Sequence, residues 1–456
     1  MSYMPITDSM FLIAESREHP MHVGGLQLFQ PPEDAGPNYV REVFEQLTRS
    51  DDVDTVFRKR PARPVNSVGN LWWTNDDIVD FDYHVRHSAV PGPGRVRELL
   101  QLVSRWHGGL LDRHRPLWEM HLIEGLQDGR FAIYTKTHHS LLDGVSALRV
   151  LQRSLSDDPD ARDCPAPWAT HQRRPREGGG FNPLGMLMGG AGVVGQLAGV
   201  TPTIVKLVNQ AIRDHDVPLP FTAPKTMLNY NIGGARRFAS QSWSIERVRA
   251  VAMAAEATVN DVVLAMCAGA LRTYLLEQHA LPDEPLTAMV PVSLSLRGDP
   301  ESDVEGNSVG AIVVSLATDQ SEAAIRLETI RNSVLQAKKM MTGLTPLQIL
   351  VLSGMSAGPL ALASVPGFVN YTRPPFNVII SNVPGPTKQM YWNGARLDGL
   401  YPASIVLDGQ ALNITLTSTN DTLDFGVIGC RKSVPHLQRI LTHLEDALAG
   451  LEKALT

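Results

Sequence analysis

Between Trp118 and Leu155 the hydrophobic period of the chain changes from about 2 residues to about 3.6, and the change falls on a pair of histidines. "WEMHLIEGL" and "FAIYTKTHH" alternate as strands do, with Gln127-Asp128-Gly129 as the turn between them. "GVSALRVLQRSL" then carries its apolar residues at helical spacing. A strand with one apolar face needs a covering layer, so this passage predicts a sheet with helices packed on it. The same alternation recurs elsewhere. "HVGGLQLF" reads as a strand, and "YVREVFEQLTR" and "VRELLQLVSRWHGGLL" read as amphipathic helices. Beyond residue 227, "SIERVRAVAMAAEATVNDVVLAMCAGALRTYLLEQ" reads as two helices broken near Thr258. "PLTAMVPVSLSL", "NSVGAIVVSLA", "FNVIISNVP", "ALNITLTST" and "DFGVIG" read as strands, and "AAIRLETIRNSVLQAKKMM" and "PHLQRILTHLEDALAGLEKAL" as helices. The fold class this predicts is α/β (or α+β).

At 456 residues the chain is too long for one ordinary core. The stretch 164–226 separates the two alternating regions, and "CPAPWATHQRRPREGGGFNP" within it has the proline, glycine and charge of a linker. The expected division is therefore 1–163, 164–226 and 227–456. The linker runs into an apolar segment, residues 184–212, long enough to cross a bilayer between Leu184 and Val205. Its six glycines and Pro202 make it a poor helix for that purpose. Packing on the protein, or lying on a membrane surface with Leu187, Val194, Leu197, Ile204 and Leu207 on one side, fits it better. The opening "MSYMPITDSMFLIAES" carries Asp8 and Glu15 and no signal-peptide pattern, so a cytoplasmic protein is expected. A net charge of −6 gives no sign of nucleic-acid binding. Cys164, Cys267 and Cys430 are odd in number and far apart, which argues against a disulfide framework or a zinc site.

The chemistry concentrates in "HHSLLDG", residues 138–144. Strand alternation puts Phe131, Ile133, Thr135, Thr137 and His139 on one face, and Ala132, Tyr134, Lys136 and His138 on the other. Two histidines pointing apart do not share a metal, and no third ligand lies close by, so none is expected. Asp143 falls in a turn closed by Gly144, from which a carboxylate can orient an imidazole or anchor the loop to a cation. No Walker loop, GxGxxG or GxSxG element is present. Without a nucleophile beside the motif, direct transfer is expected over a covalent acyl-enzyme.

"HHSLLDG" resembles the active-site motif of acyltransferases with the chloramphenicol-acetyltransferase-like fold. "PMHVGGLQLF", "RPLWEMHLIEGL", "VNDVVLA" and "SNVPGP", in that order, look like stretches of one branch, the bacterial wax ester synthase/diacylglycerol acyltransferases. The likeness spans essentially the whole chain. One stretch departs from it. Where the family reads Pro-Val-Ser, one residue, then Arg, "PVSLSLRGDP" brings Arg297 two residues late, a displacement of about 6.6 Å along a strand. Arg297 or an unknown cation is then the partner of Asp143, and Ser295 holds the family's usual position.

The resemblance implies two domains, each a mixed sheet with flanking helices, and an active-site channel between them. It implies long-chain acyl-CoA as donor, with no further cofactor, and diacylglycerol or a fatty alcohol as acceptor. His139 is the expected general base, with His138 and Asp143 beside it. Gly144, Asn260, Ser381 and Asn382 are the candidates for substrate contact, and Arg297, Asp261 and Trp118 for support. Asn260 or Asp261 is also placed to cap a helix, and Trp118 reads as a core residue after a rigid turn. A peripheral contact with a membrane or lipid droplet is expected from the apolar segment. Two other readings stay open: a condensation-type enzyme using carrier-bound acyl groups, and a catalytically silent droplet-binding protein.

Overall fold

The computed structural model describes residues 2–49, 52–62, 72–170, 221–293, 309–341 and 368–455. Arg297 and the apolar segment 184–212 lie outside the described residues. The strands of the first half are β1 (Ser2–Tyr3), β2 (His22–Gln30), β3 (Lys59–Pro61), β4 (Trp72–Asn75), β5 (Val85–Ala89), β6 (Trp118–Glu124) and β7 (Phe131–His138). Those of the second are β8 (Arg236–Ser244), β9 (Thr287–Ser293), β10 (Val309–Ser315), β11 (Val378–Val383), β12 (Tyr391–Trp392), β13 (Ala395–Ala403), β14 (Leu412–Thr419) and β15 (Thr422–Cys430).

Two six-stranded mixed sheets carry the fold. One runs β12-β13-β2-β7-β6-β5 and the other β10-β9-β11-β14-β15-β8, while β1, β4 and β3 make a small third sheet. Strand β7 lies inside its sheet, antiparallel to both β2 and β6, and His138 stands opposite His22. Its alternation is as read from the sequence. Phe131 and Ile133 join a core with Trp118, Met120 and Trp168, whereas Ala132 and Tyr134 join another with Leu99 and Val103. The helix Gly144–Arg153 covers the first face, and its Leu148 and Leu151 meet Leu400 of β13 and Val383 of β11. On the other face, the helix Val96–His107 reaches the second sheet, where Ser104 Oγ accepts the Phe238 N–H at 2.9 Å.

The division at residue 227 follows the chain but not the sheets. Strands β12 and β13 come from the second half and complete the first sheet, β13 pairing with β2 from Gly24↔Ala403 to Gln30↔Arg396. Gly426 makes the crossing possible, because a Cβ there would lie 1.7 Å from the Pro402 carbonyl oxygen. Beside it, buried Asp424 accepts the Leu400 N–H at 2.8 Å and the Ser242 hydroxyl at 2.6 Å, tying β13 to β15 and β8. Burial raises the Asp424 carboxyl above its usual value.

The helix pair breaks at Thr258 as expected, into Ile245–Ala254 and Val259–Glu277. Thr258 is the cap: its Oγ1 accepts the Asp261 N–H at 3.2 Å, and Asp261 Oδ2 accepts the Thr258 N–H at 2.9 Å. Of the two residues expected to cap this helix, Asp261 takes part, while Thr258 holds the N-cap position itself. Asp261 closes the reciprocal box from the third helical position, where a carboxylate also suits the helix dipole. Val259–Glu277 is long and apolar enough to cross a membrane, yet 72% of its most apolar window is buried inside the protein.

Candidate active site

His138 ends β7 and His139 follows it, in different surroundings. His138 is fully buried. Its Nδ1 accepts the Ser140 N–H at 3.1 Å and lies 2.7 Å from Ser140 Oγ, so the ring proton sits on Nε2. That Nε2 is 3.2 Å from Glu15 Oε1, slightly off hydrogen-bond alignment. Arg113 holds the other carboxylate oxygen of Glu15 through Nε at 3.0 Å and Nη2 at 2.8 Å. Burial works to raise the Glu15 carboxyl, but His138 and Arg113 beside it bring it below its usual value. It is an anion with both oxygens occupied.

His139 is partly exposed. Its main-chain N–H donates to the Met21 carbonyl at 2.8 Å, one step past the last pair of the β2–β7 ladder. Its ring stacks on Phe11 with centroids 4.0 Å apart and planes 22° from parallel. Nδ1 is buried with no partner in hydrogen-bond geometry. Burial holds the imidazole down at about 4, against the opposing pull of the Asp143 carboxylate and of its own carbonyl. His139 is thus neutral at cellular pH.

Asp143 is the N-cap of the helix Gly144–Arg153, and its Oδ1 accepts the Ser146 N–H at 2.7 Å. Its side chain anchors the loop to that helix, and its charge favours the imidazolium of His139. Gly144 is not required by the backbone. It is the first helical residue, with no left-handed φ, and an added Cβ would meet only Val23 Cγ1 at 3.9 Å. Extended Asp143 makes the turn, and Gly144 begins the helix with room for a Cβ.

Ser381 and Asn382 lie at the end of β11 opposite Thr415 and Leu416, both partly exposed. The strand end is drawn to the helix that Asp143 caps, because Val383 packs with Leu148 and Leu151. Gln152 reaches the Pro384 carbonyl at 3.4 Å. Asn260 is partly exposed on the first turn of its helix, and no hydrogen bond among the described residues joins it to His139. Trp118 is structural as read. It is buried, donates from Nε1 to the Phe57 carbonyl at 2.8 Å, and stacks between His84 and Trp168. Among the described residues no cluster of His, Cys, Asp and Glu is arranged to hold a metal. The sequence reading missed Phe11, Glu15, Met21 and Arg113. The only local signal for them was the apolar run at 10–13 with Glu15 behind it.

A two-sheet fold joined by a strand crossover is shared with the condensation domains of peptide synthetases. The first condensation domain of the CDA synthetase superposes over 99% of this chain and 95% of its own, at a TM-score of 0.56 and 16% identity, a likeness of fold. The wax ester synthase/diacylglycerol acyltransferase of Marinobacter aquaeolei VT8 matches far better. It covers 100% of both chains at a TM-score of 0.80 and 43% identity. Residues 4–263 match the wax ester synthase/diacylglycerol acyltransferase catalytic domain, and residues 305–452 match the C-terminal domain of the same family. A Mycobacterium tuberculosis protein named "Probable diacyglycerol O-acyltransferase tgs2" is 53% identical over 455 residues, covering 100% of each chain. The O-acyltransferase WSD of Acinetobacter baylyi is 43% identical over 457 residues, covering 98% of this chain and 96% of its own. This chain belongs to the wax ester synthase/diacylglycerol acyltransferase family. It is an O-acyltransferase, with acyl-CoA and an acyl acceptor as substrates.

Proposed function

We propose that the enzyme transfers a long-chain acyl group from acyl-CoA to the hydroxyl of diacylglycerol, and also to long-chain fatty alcohols, with His139 as general base. The observation that carries this is the state of the His139 ring, neutral, partly exposed and stacked on Phe11. The name of the mycobacterial relative at 53% identity favours diacylglycerol, and the names of the Marinobacter and Acinetobacter relatives extend the reading to wax esters and other O-acyl products.

In the mechanism Nε2 removes the acceptor's hydroxyl proton as the oxygen attacks the thioester carbonyl. The imidazolium then returns the proton to sulfur. Burial that weakens His139 as a base makes its conjugate acid strong: an acid near 4 protonates a thiolate whose thiol lies near 8.5 with a large driving force. Asp143 offsets part of the desolvation of the imidazolium. Asn260, Ser381 and Asn382 remain candidates for contact with the acyl group or acceptor, and Arg297 for the partner of Asp143. Holding both substrates about 3 Å apart supplies much of the remaining acceleration.

The acceptor is insoluble in water, so the proposal includes peripheral association with the cytoplasmic face of a membrane or with lipid droplets. Liposome flotation of the purified enzyme measures this, and an enzyme that stays entirely in the aqueous fraction overturns it. The catalytic reading is tested by His139→Ala with labelled palmitoyl-CoA and competing diacylglycerol and hexadecanol. A loss of at least about a hundredfold in both products is expected for a missing general base. Retention of activity within tenfold in a folded variant overturns it.

A further inference from the structure

The segment before β2 holds a buried anion that the mechanism above does not use. Glu15 is the C-cap of the helix Ile6–Ala14, and its N–H donates to the Phe11 carbonyl at 3.0 Å. Its side chain is 1% exposed. Oxygen Oε1 touches two chain segments at once. It accepts the Met21 N–H at 3.3 Å and lies 3.2 Å from His138 Nε2. Met21 in turn accepts the His139 N–H through its carbonyl at 2.8 Å. Oxygen Oε2 is taken by Arg113, which also donates from Nη2 to the Leu12 carbonyl at 2.7 Å. The helix so fixed is the one whose Phe11 ring stacks on His139.

We infer that Glu15 is a positioning residue for the acyl transfer, its single carboxylate clamping the strand ends at Met21 and His138 from which the His139 imidazole is presented. The inference rests on the reading of His139 as the base. The carboxylate itself is buried and touches the segments on both sides of the imidazole, so displacing it moves the main chain there. Arg113 has a different part. It is one-third exposed and neutralises a carboxylate that is not, so its loss leaves a buried charge unpaired. Glu15→Gln, by contrast, leaves only an arginine that can turn to solvent. The two partners therefore separate chemistry from stability.

The experiment is steady-state kinetics and thermal melting of Glu15→Gln, Arg113→Met and His139→Ala in the full chain. For Glu15→Gln, kcat should fall about ten- to a hundredfold, the range a small misplacement of a reacting group produces. KM for palmitoyl-CoA and for the acceptor should stay within about twofold. Arg113→Met should show the larger drop in melting temperature and the smaller drop in kcat per folded site. If Glu15→Gln does not fold, Glu15→Gln/Arg113→Gln, which leaves no unpaired charge, carries the same expectation. A kcat within twofold of wild type for the folded Glu15 variant overturns the inference while a dead His139→Ala leaves the base standing. Losses of kcat that merely track melting temperature in both partners overturn it as well. An active His139→Ala overturns the base reading itself.

Discussion

The two faces of β7 use the same residue types for opposite ends. On one, Tyr134, Lys136 and His138 sit in a closed polar layer. Lys136 Nζ donates to Glu119 at 2.9 Å and to the Trp106 carbonyl at 2.9 Å, and Arg86 approaches Glu119 at 3.3 Å. Burial would raise the Glu119 carboxyl, but His121 and Lys136 hold it down to about 2. His107 donates from Nε2 to the Ser404 carbonyl at 3.0 Å and accepts the Tyr134 hydroxyl at 2.7 Å. On the other face, Thr135 and Thr137 line a cleft beneath the helix Gly144–Arg153, and partly exposed His139 follows them in the chain. Groups tied into a buried network fix a backbone, and a partly exposed side chain is open to a reactant. His139 differs from its neighbour in being partly exposed and stacked on Phe11, where His138 is fully buried.

Lys136→Ala should break the closed face most severely. It removes a buried cation from Glu119 and should cost about 3 kcal/mol, the low end for a broken buried pair because Arg86 and His121 still face the carboxylate. Chemical denaturation measures it, and a loss under 1 kcal/mol would make this layer incidental. His138→Ala should cost about 1–3 kcal/mol by stranding the Ser140 N–H. Its kcat per folded site should fall less than that of His139→Ala; equal losses with normal folding would erase the contrast between the faces.

The pH response sharpens the comparison. Burial holds His139 at about 4, His107 at about 3, and His22 well below its usual value, so the unfolded chain takes up these protons near 6.5 and the native chain does not. Stability should therefore hold above pH 6.5 and fall as pH drops from 6.5 toward 3. In kcat/KM the acid limb should lie near pH 4 instead of 6.5; an inflection at 6.5 would mean His139 is not desolvated in the free enzyme. The smallest effect is expected for Gly144→Ala, whose Cβ has room and whose helix gains from losing a glycine. Its melting temperature should be unchanged or slightly raised, and a fall would mean the turn is strained.

Local pattern carried much of this. The helix Ala323–Met341 was legible because it buries one face at helical period, the strand Phe131–His138 because its β-branched and aromatic residues end in a turn, and the break at Thr258 because a threonine there caps the next helix. Strand β13 was not. Asp398, Gly399 and Pro402 interrupt its pattern, and a register shift falls between Leu397 and Gly399. Pairing with β2 overrides its poor propensity. The helix Ile6–Ala14 drew attention only as a stretch lacking a signal-peptide pattern, although it supplies the ring against His139. Glu15 and Arg113 meet from positions 98 apart, and no periodicity encodes a contact of that range. The histidine motif was visible; the anion that steadies it was not.

The crossing of β13 has a consequence for how the molecule is made. Strand β2 emerges early in synthesis, but its partner on the outer side is drawn from residues 395–403. Until those residues leave the ribosome, one edge of β2 offers unpaired amides and carbonyls to any other chain nearby, and closing that edge spans nearly the whole sequence. Expression of the first half alone should therefore give aggregates in place of a folded half-enzyme. The strand that leads into the histidine pair and the last strand to join its sheet mature together, so a nascent chain completes that sheet only when synthesis is almost complete.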